Sequence, residues 1–165
     1  MPATETFVVV GAGLAGAKAA ETLRTEGFDG RVVLIGEEPQ RPYERPPLSK
    51  DYLRGEKGFD DAAVHPAGFY DEQDVELRTS TLVTGIDPTG REVILSSGER
   101  LRCDRLLLAT GAAPLPLGVP GTGLDGVHYL RSVADADALR GAISPSTEVV
   151  VVGAGWIGAE VAASA

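Results

Sequence analysis

The sequence predicts an α/β protein organised around a parallel sheet, and three observations predict it. An apolar, β-branched run, Phe7–Val10, stops at Gly11-Ala-Gly13-Leu-Ala-Gly16 and gives way to Ala17–Leu23, a stretch of good helix formers, before a second apolar run, Arg31–Ile35. The opening pattern returns near the end of the chain: Val8–Ala20 reads VVVGAGLAGAKAA and Val150–Ala162 reads VVVGAGWIGAEVA, an offset of 142 positions from Gly11 to Gly153. Glycine is in excess, 21 of 165 residues, nearly twice the usual share of ~7%. Neither a collagen period nor a linker composition accompanies it, so the glycines must shape local backbone.

The elements follow in order. Phe7–Val10 reads as a strand, the glycine triplet as a turn, and the small-residue stretch as a helix that Gly27 and Gly30 bring to an end. Arg31–Ile35 is the kind of strand that is buried on both faces of a parallel sheet, which completes a βαβ unit within the first 35 residues. Residues 36–47 are polar and proline-rich, and Pro46-Pro47 introduces a short helix over Leu48–Arg54. Pro66 opens another that ends before Val75. Val75–Arg78, Leu82–Ile86, Glu92–Leu95 and Arg100–Arg102, separated by Gly- and Asp-Pro-containing breaks, predict a β-meander over about 75–102. Leu106–Ala109 is a last buried strand, ending at Thr110-Gly111. Residues 112–126 show no period, and Ser132 caps a helix over Val133–Ala142 with Asp135 in its first turn. A βαβ unit takes ~30 residues and only 16 follow Val149, so the second glycine motif is expected to open a nucleotide domain that this chain does not finish.

Composition excludes several classes of function. Fifteen Lys and Arg against 24 Asp and Glu leave a net charge of −9 with no basic run, which disfavours nucleic acid and anionic membrane surfaces as partners. No apolar stretch approaches the ~18 residues of a membrane span, and no basic residue precedes Phe7 as a secretory leader would require. The single cysteine, Cys103, excludes an internal disulfide and a four-thiolate cluster. His65 and His128 stand alone without metal-ligand spacing, so no metal is expected. The cytoplasm fits these features best.

Gly11-x-Gly13-x-x-Gly16 after a strand has a mechanical meaning. The first glycine makes the tight turn, the second lets a pyrophosphate approach the backbone, and the third allows close packing of helix on strand. The phosphate then meets a helix N-terminus carrying roughly half a positive charge, which explains how an acidic chain could bind an anionic dinucleotide. Glu37, 21 positions after Gly16 and just past the second strand, sits where a carboxylate accepts ribose hydroxyls.

These glycines and Glu37, the segment Arg41-Pro-Tyr-Glu-Arg-Pro-Pro-Leu-Ser-Lys50, the strand end Ala109-Thr110-Gly111, Tyr129-Leu-Arg131 and Gly153-Ala-Gly-Trp-Ile-Gly158 together resemble the FAD-dependent ferredoxin reductases of oxygenase systems. These are of the putidaredoxin and rhodocoxin reductase type, within the pyridine nucleotide-disulfide oxidoreductases. The resemblance covers essentially the whole chain. It implies a three-layer FAD/NAD(P)-binding fold of the glutathione-reductase type, a Rossmann-like domain with an antiparallel excursion, followed by the first β-α of a second Rossmann-like domain. The implied division is a first segment of the FAD domain over 1–111, a linker and crossover helix over 112–147, and the start of the NAD(P) domain over 148–165.

By the same resemblance, the first motif holds FAD and the second NAD(P)H, with NADH favoured. Gly11, Gly13, Leu14, Ala15 and Gly16 would cradle the FAD pyrophosphate and Glu37 the adenosine ribose. Arg45 would contact phosphate, where a guanidinium forks well onto oxygens. Val83 would meet the adenine through its backbone, and Ala109, Thr110, Gly111 and Arg131 would approach the same cofactor. Gly153, Gly155, Ile157 and Gly158 would serve the nicotinamide nucleotide. Trp156 could shield the nicotinamide or merely pack. Lys50 and Glu160 are the implied catalytic pair, a lysine beside the flavin held by a carboxylate.

The implied activity is passage of electrons from NAD(P)H through FAD to a ferredoxin-type iron–sulfur protein serving an oxygenase or cytochrome P450. Such partners are usually acidic, so a net charge of −9 calls for local basic clustering, for which Arg41, Arg45, Lys50 and Arg54 are the candidates. The family's FAD domain completes itself after the nucleotide domain, so residues 1–165 by themselves are expected to bind FAD weakly and not to turn over. The rival readings are a truncated or non-turnover flavin-binding scaffold and a relative of the NADH oxidases or rubredoxin reductases. Oligomeric state is open.

Overall fold

The computed structural model describes residues 5–144 and 147–165. The chain forms two compact units, one from the residues up to Tyr43 with Ala63–Gly111, the other from Glu44–Ala62 with Ala112–Ala165.

The first unit is built on the predicted βαβ. β1 (Thr6–Val10) leads through the glycine turn into α1 (Leu14–Thr25), which returns to β2 (Arg31–Ile35), and β1 and β2 pair in parallel from Thr6↔Arg31 to Val10↔Ile35. Val8, Val9 and Val32–Ile35 are buried on both faces of the sheet, as continuous apolar strands of a parallel sheet must be. Ala17 and Ala20 give α1 a narrow face that lies close on the strands. In the second unit, by contrast, residues 44–62 hold a 3₁₀ turn, Pro46–Ser49, and a single helical turn, α2 (Phe59–Ala62). The expected helix over Leu48–Arg54 is that 3₁₀ turn: Leu48 N–H donates to the Arg45 carbonyl and Lys50 N–H to that of Pro47, both at 3.0 Å. After Pro66, the first unit resumes with α3 (Phe69–Glu72).

Two strand expectations change. β3 (Val75–Arg78) does not belong to the meander; it pairs in parallel with β2, from Val32↔Val75 to Ile35↔Arg78, and extends the main sheet to the order β3-β2-β1-β7. The antiparallel excursion is therefore β4 (Val83–Asp87), β5 (Glu92–Leu95) and β6 (Arg100–Arg102). Its Val93, Leu95 and Leu101 pack with Cys103 against Val8, Val10, Val33 and Ile35, covering one face of the parallel sheet. Among the described residues β7 (Arg105–Leu108) pairs only with β1, and Leu107 and Leu108 are exposed, because this strand is an edge of the sheet rather than a buried interior strand.

In the second unit α4 (Val133–Ala142) begins at the predicted cap. Ser132 Oγ accepts from Asp135 N–H at 3.2 Å and the Asp135 carboxylate accepts from Ser132 N–H at 2.7 Å, a reciprocal capping box. α5 (Trp156–Ser164) follows the second glycine turn. The 3₁₀ turn packs against both helices, with Leu48, Tyr52, Leu53, Val133, Ala136 and Val161 buried. The strand expected at Val149–Val152 forms no ladder: all four valines are exposed and no described strand lies beside them. An extended apolar run becomes a strand only where a neighbour supplies the other half of its hydrogen bonds. No described helix is long and apolar enough to cross a membrane.

Candidate functional site: glycine turns and a lysine–glutamate pair

The C-terminal ends of β1, β2 and β7 carry Gly11–Gly16, Gly36-Glu37 and Ala109–Gly111, and a cleft of about 160 Å³ opens there. Gly11, Glu37, Tyr43, Val83 and Thr110 line it. Gly11 has φ +113°, and a Cβ on it would strike the Ala109 carbonyl, while a Cβ on Gly16 would land on the Gly11 carbonyl. The turn therefore closes only with glycine at both positions. Gly13 differs, since a Cβ there would meet nothing within 4 Å. The space over it is open, and Gly13 is the N-cap of α1, with no side-chain cap and no acid in the first turn. Leu14 and Ala15 lie exposed on that first turn.

An unblocked helix N-terminus with glycine at its tip fits a pyrophosphate by charge and by room. Glu37 stands exposed on the cleft wall, and its neighbour Glu38 instead accepts the Tyr43 hydroxyl. A larger cavity, about 470 Å³, lies at the N-terminal ends of β2 and β3, lined by Asp29, Asp71, Asp74 and Glu76 among others. Its acids would repel phosphate, and ligands of open α/β sheets bind at the carboxyl ends of the strands. Val83, at the start of β4, is both a cleft residue and part of the core, and Ala109 packs in the core beside Val9 and Leu34. Gly111 has φ +70°.

The second unit carries the remaining predicted residues. The Arg45 guanidinium donates to the Arg131 carbonyl. Arg131 N–H donates to the Asp135 carboxylate at 3.0 Å, so the capping box of α4 also fixes the backbone of Arg131. The Arg131 Nε is buried with no hydrogen-bond partner, a donor with capacity to spare. Burial alone would raise the Asp135 carboxyl. The Ser132 N–H and hydroxyl, the Arg131 N–H and the charge of Arg45 outweigh it and hold the group below its ordinary value.

Lys50 Nζ lies 3.0 Å from Glu160 Oε1, and Ser49 Oγ donates to Glu160 Oε2 at 2.6 Å. Those two donors, the Ser49 hydroxyl first and Lys50 second, hold the Glu160 carboxyl below its ordinary value. The second glycine turn repeats the first: Gly153 has φ +112°, a Cβ on Gly158 would land on the Gly153 carbonyl, and Gly155 is an uncapped N-cap with no acid in the first turn of α5. Trp156 and Ile157 are exposed on that turn.

The candidate basic cluster is electrostatically muted. Arg54 pairs with Asp51 and Glu56, Lys57 with Asp51 and Lys50 with Glu160. Arg41 donates to the His65 carbonyl at 3.2 Å. Cys103 is buried, and burial pushes its thiol above the usual value. Sequence reasoning missed Ser49, which adjoins Lys50 in the quoted segment but carries no periodicity or spacing that marks it as a partner of Glu160.

A family model described as pyridine nucleotide-disulphide oxidoreductase matches residues 5–165. The chain belongs to that family. Among curated pyridine nucleotide-disulphide oxidoreductase relatives, rhodocoxin reductase of Rhodococcus erythropolis is 43% identical over 159 residues, covering 96% of this chain and 37% of the relative. The structure also matches the reductase in a covalent putidaredoxin reductase–putidaredoxin complex, with TM-score 0.91 and 39% identity over 98% of this chain and 40% of that one. A ferredoxin reductase of the CYP199A2 system from Rhodopseudomonas palustris matches with TM-score 0.92 and 40% identity, over 96% of this chain and 39% of that one. The chain thus spans about two fifths of the length of the family members it matches. The parallel sheet with its glycine turn and antiparallel excursion is the FAD/NAD(P)-binding fold that the sequence predicted.

Proposed function

We propose that this chain is the dinucleotide-binding portion of an NAD(P)H-dependent, FAD-containing ferredoxin reductase. This oxidoreductase passes electrons from NAD(P)H, with NADH favoured, to a ferredoxin-type iron–sulfur protein that serves an oxygenase or cytochrome P450. The observation that carries the reading is the doubled glycine turn, Gly11 at φ +113° and Gly153 at φ +112°, each opening a helix whose N-terminus no acid blocks. Two such turns in one chain suit two dinucleotides, and a redox enzyme is what needs both. The relatives named rhodocoxin reductase and putidaredoxin reductase, at 43% and 39% identity, support the choice of acceptor.

Bound flavin supplies the conversion of a two-electron donor into one-electron steps. Gly11, Gly13, Leu14, Ala15 and Gly16 receive the FAD pyrophosphate, Glu37 takes the ribose hydroxyls, and Val83, Ala109, Thr110 and Gly111 complete that wall. Arg45 would contact phosphate, and Arg131 would approach the same cofactor. Gly153, Gly155, Ile157 and Gly158 would hold the nicotinamide nucleotide, and Lys50, held by Glu160, would supply a positive charge able to stabilise an anionic reduced flavin. Residues 1–111 are the first FAD-binding segment, 112–147 the linker and crossover helix, and 148–165 the start of the NAD(P)-binding domain. The cytoplasm is the proposed location.

The full-length protein of which this chain is a portion, loaded with flavin and given NADH or NADPH, with ferredoxin, rubredoxin or dioxygen as acceptor and cytochrome c reduction as the reporter for the carriers, tests the reading. Ferredoxin-dependent reduction is expected. Turnover with dioxygen or rubredoxin alone moves the chain to the oxidase or rubredoxin-reductase class, and flavin binding without turnover leaves a scaffold.

A further inference from the structure

Ser49 is the buried polar residue among the described residues, 3% exposed. A hydroxyl taken out of water needs a partner, and this one donates to Glu160 Oε2 at 2.6 Å, the short distance of a hydrogen bond to a charged acceptor. Lys50 Nζ takes the other oxygen at 3.0 Å and also donates to the Pro46 carbonyl at 3.2 Å. One turn further along α5, Ser164 Oγ donates to the Ser49 carbonyl at 2.8 Å, and Arg54 Nη1 reaches the same hydroxyl at 3.4 Å. Glu160 and Ser164 are four apart and share a helix face, so Ser49 grips that face with its side chain and its main chain together.

We infer that Ser49 is the positioning residue of the Lys50–Glu160 pair: its hydroxyl fixes one carboxylate oxygen so that the other is presented to the lysine. Lys50 alone could not do this. Both partners of the ion pair are partly exposed, 43% and 28%, and an ion pair of that kind rearranges readily and is weakened by salt. Two donors on two oxygens define the plane of the carboxylate, and the neutral one resists salt. Lys50 is the charged group in contact with Glu160, and Arg54, already paired to Asp51 and Glu56, stands a turn away. What the positioned pair does rests on the flavin reading; the positioning itself does not.

The test is carboxyl carbon-13 NMR on protein labelled at glutamate, with Glu160→Gln to assign the resonance, titrated for the wild type, Ser49→Ala and Ser49→Thr. The midpoint of Glu160 is expected to rise in S49A and to return toward wild type in S49T, which keeps the hydroxyl. In the flavin-loaded full-length protein, the acid limb of flavin reduction by NADH is expected to shift upward with it. Identical Glu160 titrations in wild type and S49A overturn the inference. A carboxyl midpoint that moves while the flavin limb stays fixed supports the positioning and counts against the flavin role of the pair. If S49A fails to fold, Ser49→Cys, similar in size but a weak donor, is read by the same two outcomes.

Discussion

Lys50 Nζ lies 3.0 Å from Glu160 Oε1, joining the residue that ends the RPPLSK segment to the residue two positions beyond Gly158, the last glycine of the second motif. In the full-length protein, Lys50→Ala is expected to slow reduction of bound flavin by NADH by about a hundredfold to a thousandfold, the scale of losing one preorganised electrostatic group. Stopped-flow absorbance reads the rate. The melting temperature is expected to stay close to wild type, because the pair is partly exposed and exposed ion pairs contribute little to stability.

Gly13 and Gly16 separate ligand binding from folding. Gly16→Ala drives a Cβ into the Gly11 carbonyl and is expected to lower stability by about 1–3 kcal/mol, as overpacking does. Gly13→Ala meets no protein atom within 4 Å and costs about 1 kcal/mol at most, as an alanine N-cap. It nevertheless fills the space into which a pyrophosphate would come. Flavin affinity is therefore expected to fall in both variants, with denaturant midpoints distinguishing them.

Glu37 and Glu38 are adjacent carboxylates with different expected consequences. Glu37→Ala is expected to weaken flavin binding by about 1.5–3 kcal/mol, the worth of a hydrogen bond to a charged group, with little change in stability. Glu38→Ala removes a carboxylate acceptor of the buried Tyr43 hydroxyl, so its principal effect is expected on stability. Isothermal titration with FAD and thermal melts of both variants make the comparison.

Asp135 gives the acid limb a sign. Its carboxyl is depressed in the folded protein, so the stability it contributes is present above the ordinary carboxylate pKa of ~3.9 and is lost as pH falls through the lower folded value. Asp135→Asn keeps a polar cap without the charge. The variant is expected to be less stable than wild type near neutral pH and to lose less on acidification from about pH 6 to pH 3. Urea unfolding at several pH values reads the slope.

The parts of this protein that were legible in the sequence are those encoded locally. Gly11, Gly13 and Gly16 declare a turn because each spacing answers a steric demand within a few residues, and Ser132 with Asp135 declares a cap for the same reason. Val75–Arg78 reads as part of the meander because four residues carry no information about which strand they will pair with; Val32–Ile35, more than forty positions away, decides it. Val149–Val152 reads as a strand by composition, yet the ladder depends on a neighbour. The Lys50–Glu160 pair was legible only through resemblance, and Ser49 not at all, since a serine among prolines is unremarkable until the fold buries its hydroxyl beside a carboxylate.

The central claim is that one protein takes electron pairs from a nicotinamide nucleotide and delivers single electrons to an iron–sulfur partner. Anaerobic titration of the flavin-loaded full-length protein with NADH, followed by addition of oxidised ferredoxin, tests it most directly through the visible flavin absorption. Bleaching by one equivalent of NADH and recovery on adding two equivalents of ferredoxin is the expected result. Flavin that remains oxidised with both NADH and NADPH, or that bleaches but never reoxidises against ferredoxin, contradicts it.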